Sequence, residues 1–296
     1  MFRIILSVCL LFPVALAHVA KAETAISESR VPQSALYVGL GAGFNTTHFG
    51  TQDIFAVGTS SIFNGGALIA TGTAAGPGTT DTGTTFSVAP SVQVGYFRRL
   101  PNSDWLWGVN LQYQYIGASA DTSRVTLPQA GTFSEVATGQ VVPFVGTAVA
   151  QSYRTYVDHQ FALLPYVGHV FGNGIIYGGA GPTLSRTRTK ITGLVGFANI
   201  FGVPTDISGA PQNFSGANWG LGGMAAVGIS YFITPSWFLD VRYAVSVSAH
   251  QTSNYNSTFT SPNPDAFGNT HSGTLVGNSS GGLIVHGLTF SINFVL

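Results

Sequence analysis

The sequence predicts an all-β fold, an eight-stranded antiparallel transmembrane β-barrel with short turns at one end and four long loops at the other. Three observations predict it. Long segments alternate apolar and polar residues with period two, which gives a strand one face of each kind. Charged residues make up only 7% of the chain, against about 25% in soluble domains. Mean hydropathy is +0.31, yet beyond the N-terminal stretch no apolar run reaches the roughly 18 residues of a spanning helix. A chain that is apolar on average but never continuously so suits strands with one face in lipid.

The elements follow in chain order. Met1-Phe2-Arg3 is a basic start, Ile4–Ala17 an apolar stretch and Ala20-Lys21-Ala22 an A-x-A cleavage site, so residues 1–22 read as a secretory signal peptide. Cys9, the single cysteine, falls inside it, which leaves the mature chain without thiol or disulfide. Residues 23–34 are expected as a short periplasmic segment and 35–296 as the barrel domain. The first strand is Ala35–Asn45, with Leu36, Val38, Leu40 and Phe44 outward and Gly39, Gly41 and Gly43 inward. The second is Thr85–Phe97. The third, Trp105–Gly117, is the clearest: Trp105, Trp107, Val109, Leu111, Tyr113 and Tyr115 oppose Leu106, Asn110, Gln112, Gln114 and Ile116. The fourth, Tyr153–Phe171, sets Val157, Phe161, Leu163 and Val167 outward. The fifth, Ile175–Ser185, alternates most weakly. Asn218–Phe232, Trp237–Ser248 and Gly282–Leu296 complete the set. Each meets the roughly 9–11 residues a tilted membrane strand requires.

The connectors fix the orientation. Arg98–Asp104, Gly172–Gly174 and Ile233–Ser236 are short, whereas Thr46–Thr84, Ala118–Ser152, Arg186–Ala217 and Ala249–Gly281 are long. Short periplasmic turns alternating with long outer loops characterise outer-membrane barrels. Closure by an even strand count follows, because an open edge in hydrocarbon leaves backbone groups unsatisfied. On this parity Trp105, Trp107, Trp219 and Trp237 face lipid as an aromatic girdle. Arg154, Asp158, Asp240 and Arg242 are expected in the lumen, as paired charges that fill a narrow interior. Arg186, Arg188 and Lys190 alternate on one strand face at the outer end, where they could meet lipopolysaccharide phosphates or simply water.

Asn218–Tyr243 carries a Gly-rich strand, a tight Thr234-Pro-Ser-Trp237 turn, and a strand with inward Asp240 before Tyr243. It resembles the penultimate hairpin of the Omp25/Omp31-like, opacity-type outer-membrane barrel family. Leu36–Phe44 is similar to that family's first strand. The closing Phe290, Ile292, Phe294 and Leu296 resemble its C-terminal insertion signal, with Leu where the family usually has Phe. The resemblance implies outer-membrane localisation and handling by the outer-membrane assembly machinery.

Other chemistry is sparse. Zero formal net charge argues against a nucleic-acid partner. Neither His159 nor His286 has an acid at matching depth, so no catalytic residue is expected and the chain is not expected to be an enzyme. Tyr255, His250 and His271 show no ligand spacing, so no metal or cofactor is expected. The reading is a monomeric outer-membrane barrel in contact with lipid and lipopolysaccharide. Its role is structural and surface-exposed, with narrow porin-like solute passage. The alternatives are an adhesin or ligand receptor (haem included) acting through the loops and, more remotely, a lipid-modifying enzyme.

Overall fold

Period-two alternation decides which residues enter the ladders, and far more of the chain obeys it than the eight expected strands. The computed structural model describes residues 29–200, 203–206, 211–261, 263–264 and 267–296. The expected signal peptide lies outside the described residues. Among them the strands are β1 Ser34–Phe49, β2 Gln52–Asn64, β3 Ala67–Thr80, β4 Gly83–Arg99, β5 Trp105–Glu135, β6 Val141–Phe171 and β7 Gly174–Ile200. They continue with β8 Val203–Asp206, β9 Gln212–Thr234, β10 Trp237–Ser248, β11 Gln251–Thr260, β12 Asn269–Gly281 and β13 Leu283–Val295.

Two stacked rings result. In the lower ring β1, β4, β5, β6, β7, β9, β10 and β13 pair in that cyclic order, every pair antiparallel, and β13 returns to β1. This is the closed eight-stranded barrel. In the upper ring β5, β6, β7 and β9 run on, while β2, β3, β11 and β12 stand above β1, β4, β10 and β13. Four strands therefore cross the junction unbroken. The other four are interrupted by one or two residues, at Gly50–Thr51, Asp81–Thr82, Ala249–His250 and Gly282. Among the described residues no backbone ladder joins β9 to β11. Asn218 Nδ2 instead donates to Thr252 O and to Ser253 Oγ (3.0 Å), and Ser257 Oγ to Gln212 Oε1 (3.2 Å).

The four long loops are thus corrected to hairpins that extend the barrel. Their alternation is polar-out and small-or-apolar-in, a strand signal without a hydrophobic stripe. On β11, Thr252, Asn254, Asn256, Thr258 and Thr260 are exposed, while Ser253 and Phe259 are buried. The 31 residues of β5 rise about 3.3 Å each, roughly 100 Å along the strand. That is far more than a tilted strand needs to cross a hydrocarbon core of about 30 Å.

The outer surface changes character at the junction. Below it, large apolar side chains stand exposed on every strand, with Leu40 at 66% and Leu221 at 69%. Above it, Thr, Ser, Asn and Gly are the commonest residues, and exposed large apolar side chains, Phe55, Val141, Val145 and Val276 among them, are sparser. Inside, layers alternate. Tyr37, Phe97, Phe232 and Phe238 close the end beside the short turns. A polar layer follows, then Phe49, Ile116, Val157 and Leu283 at the junction, then an upper core of Leu127, Tyr153, Ile191 and Phe214.

Bulges at the junction reset the parity. The β5–β6 register shifts between Tyr115 and Ala118, where Gly117 takes a left-handed φ of 62°, a conformation glycine adopts at little steric cost. The β6–β7 register shifts between Val157 and Gln160. One extra residue turns every later side chain to the other face. Val157, expected outward, is therefore completely buried. Pro165 and Pro182 lie where the β6–β7 ladder is interrupted, between the Ala162–Thr183 and Tyr166–Gly179 pairs, as their missing donors require.

Surface character separates the tiers experimentally. Leu40→Arg should destabilise the lipid-embedded protein by about 2–4 kcal/mol, the range for arginine at a bilayer midplane, in urea unfolding from liposomes. Thr258→Arg should change stability by less than about 0.5 kcal/mol, the usual range for a surface substitution.

Candidate functional site

Two arrangements could carry function: the plug inside the lower barrel and a charged rim on its outer face. The plug begins with three tyrosines. Tyr37, Tyr166 and Tyr177 each point inward directly opposite a glycine of the neighbouring strand, Gly95, Gly108 and Gly228 respectively. A Cβ at any of these glycines would collide with the ring beside it. Missing side chains on one strand are thus what lets rings from the next lie across the narrow lumen.

Above the rings sit Asp240 and Arg242, successive inward residues of β10, with only 4% and 2% of their surface exposed. The expected lumen pairing is corrected here. Among the described residues the direct ion pairs lie elsewhere, and each lumen charge is held by neutral groups. Tyr177 Oη and Ser230 Oγ donate to Asp240 Oδ2 at 2.7 and 2.9 Å. Arg242 donates through Nη1 to Asn110 Oδ1 and through Nη2 to Gln93 Oε1, both at 3.2 Å. Gln93 in turn donates to Asn293 Oδ1 and Ser291 Oγ, and Asn110 to Tyr37 Oη. The space left among these groups is ≈ 10 Å³, room for about one water. At this level the barrel is closed.

The second correction concerns Arg154 and Asp158, which do not share the lumen with Asp240. The bulge turns Arg154 to the outer face, where Nη2 lies 3.7 Å from Asp121 Oδ1. Asp158 sits in the bulge itself and takes Nη2 of Arg188 at 2.9 Å as well as its Nε. The Arg188 guanidinium lies over the Tyr156 ring, 5.1 Å from its centroid. Lys190 pairs with Arg154 across the β6–β7 ladder, and Arg188 with Tyr156. Arg154, Arg188 and Lys190 therefore form one outer-face cluster, with half-exposed Arg186 below it. Sequence reasoning missed Arg154 and Asp121 as members of it, because only the bulge brings them there.

Beneath the cluster lies a patch of rings. Tyr113 Oη is 2.8 Å from His159 Nδ1, and the Trp219 ring lies 6.3 Å from that of His159 and 6.0 Å from that of Phe161, centroid to centroid. Trp105, Trp107 and Trp237 stand at the opposite edge, beside the short turns, and all four tryptophans are exposed. Phe290, Ile292, Phe294 and Leu296 are likewise exposed on the closing strand and its last residue. Tyr255, His250 and His271 are not brought into one site. Tyr255 Oη donates to Phe55 O and Asn278 O, His271 is buried on β12 and His250 is exposed between β10 and β11. Among the described residues no three His, Cys, Asp or Glu side chains gather as metal ligands.

No family model matches the chain, and no curated protein matches it. The solved structures it resembles include Ail, the attachment invasion locus protein of Yersinia pestis, at 10% identity over 78% of this chain and 97% of that one, with a TM-score of 0.25. Neisserial surface protein A gives 13% over 79% and 96%, with a TM-score of 0.24. The outer membrane protease OmpT from Escherichia coli gives 8% over 88% and 97%, with a TM-score of 0.28. At these values the architecture rests on the strand pairings of this chain itself.

The plug makes a direct prediction. Arg242→Met removes the positive charge two residues from buried Asp240, which Tyr177 and Ser230 alone then have to support, and should cost about 3–5 kcal/mol of stability, the range for a buried charge left without an opposite charge nearby. The double variant Asp240→Asn, Arg242→Met should recover most of that loss in the same unfolding measurement.

Proposed function

We propose that the protein is a bacterial outer-membrane barrel that carries a rigid, surface-exposed platform and does not serve as an open pore. The observation that carries this reading is the change of outer surface at the junction, apolar below and hydroxyl- and amide-rich above, on strands that continue without a break. The lower ring is then the membrane anchor. Its tryptophans beside the short turns form the inner girdle, with the turns and both chain ends on the periplasmic side. Residues 1–22 direct export, and the β13 pattern ending at Leu296 is what the outer-membrane assembly machinery meets. The resemblance of residues 36–44 and 218–243 to opacity-type barrels supports the same role. The ring needs no second chain to complete its ladder, which supports a monomer.

The cluster of Arg154, Arg188 and Lys190 stands directly above the aromatic patch. Lipopolysaccharide phosphates would lie at that height if the patch marks the outer interface. Arg188 is held by Asp158 through two nitrogens, whereas Arg154 meets Asp121 only at 3.7 Å, so Arg154 and Lys190 carry the contact. The filled lumen favours a structural and surface role over solute passage. The ordered upper tier supports the receptor reading as the second one, with the binding surface on strands instead of flexible loops.

In planar bilayers the purified protein should give no steady conductance; a stable open level would overturn the proposal. For the rim, each cation near an anionic surface contributes roughly 1 kcal/mol. Arg154→Gln, Lys190→Gln should therefore bind lipopolysaccharide roughly 30-fold more weakly at low salt, with the difference shrinking as salt screens the charges. An unchanged affinity would remove the rim from the proposal.

A further inference from the structure

The upper tier is not filled like the barrel below it. Toward its outer end the lumen holds a cavity of ≈ 110 Å³, walled by Ala56, Ala74, Ala148, Leu194 and Leu275. Rings of Phe133, Phe144 and Phe259 close around it. Below, the core layer of Tyr153, Ile191 and Phe214 makes the space blind on the membrane side. Tyr255 helps seal that layer. Burial pushes its phenol above the usual tyrosine range, so it stays a neutral donor to Phe55 O and Asn278 O.

Three features narrow what such a cup can hold. Among the described residues none that lines it is charged; the polar ones are Thr, Ser and Gln, so an ion entering would lose its hydration without compensation. The volume approaches that of an engineered apolar cavity of about 150 Å³ that stays dry and takes up benzene. Third, buried alanines of four different strands, Ala56, Ala74, Ala148 and Ala198, line the space, where larger side chains would fill it. A tier built only as a spacer would be packed at this level too.

We infer that the upper tier is a receptor for an uncharged hydrocarbon group about one aromatic ring in size, either a small apolar molecule or the terminal carbons of an acyl chain. This goes beyond the platform reading, which needs no cavity, and it holds whether or not lipopolysaccharide touches the rim. Capture from the outside requires only that the cup open away from the membrane.

The test uses the mature chain in lipid nanodiscs, because detergent tails would compete for the cup. Alanine and leucine methyls are labelled for NMR, and toluene and decanoate are titrated separately. The expected result is a saturable shift of the Ala56, Ala74, Ala148, Leu194 and Leu275 methyls, with the lipid-facing methyls of Leu40 and Leu221 moving only linearly as guest enters the bilayer. Saturation by toluene alone identifies a free small molecule, and saturation by decanoate identifies an acyl chain; either supports the inference. Ala74→Phe fills the cup and should weaken binding at least tenfold. If that variant does not form the heat-resistant barrel, Leu194→Ala replaces it: an enlarged cup should shift preference severalfold from toluene towards naphthalene. Shifts that never saturate, or a saturable response indifferent to both substitutions, overturn the inference.

Discussion

Closure of the backbone ladder is the constraint on which the rest depends. In hydrocarbon an unpaired N–H or C=O has no water to turn to, so a spanning sheet must return to its first strand. The lower ring does so, with β13 paired to β1 over Tyr37–Phe49. The upper ring closes less strictly. Its β9–β11 seam is held by Asn218, Ser257 and their partners, with no backbone ladder. Side-chain bridges serve where water can satisfy what they leave over. The quality of the ladder and the polarity of the surface thus change together at one height.

Inside that ring the constraint reverses sign. The outer face can be as apolar as the solvent of acyl chains, but a narrow lumen must satisfy whatever polar groups the inward parity delivers. Asp240 and Arg242 are held by amides, hydroxyls and a phenol, not by each other. Neutral hydrogen-bond partners support a buried charge without being carboxylates or cations themselves, which suits an interior with few other ionisable groups. The three tyrosines and their facing glycines make room for this arrangement and cover it from below.

The lower ring was legible in the sequence because lipid demands a continuous apolar stripe. Leu36–Phe44, Trp105–Tyr115 and Trp219–Tyr231 declare strand, face and depth together. The upper tier was not, because water makes no such demand: the outer stripe Thr252, Asn254, Asn256, Thr258 and Thr260 alternates just as faithfully but reads as loop composition. Orientation failed at particular places. Asp240 and Arg242 lie past the one irregularity of the β9–β10 ladder, at Trp237/Phe238, and keep the parity their spacing implies. Arg154 and Val157 lie beyond the irregularity between Val157 and Gln160, and counting by twos from Phe161 puts them on the wrong face. Bulges leave little trace in composition. The alanines of the upper cavity were equally silent, since small residues announce neither a face nor a void.

The unbroken strands β5, β6, β7 and β9 are neighbours, and so are the interrupted stacks above β10, β13, β1 and β4. The tower therefore has a spine and a jointed flank. Bending stiffness is direction-dependent in such a shaft: force applied at the tip is transmitted along the spine, while the flank yields at the breaks near Gly50, Asp81, His250 and Gly282. Any lean of the upper ring is thereby favoured about one axis, and its unladdered seam stands at the border of spine and flank.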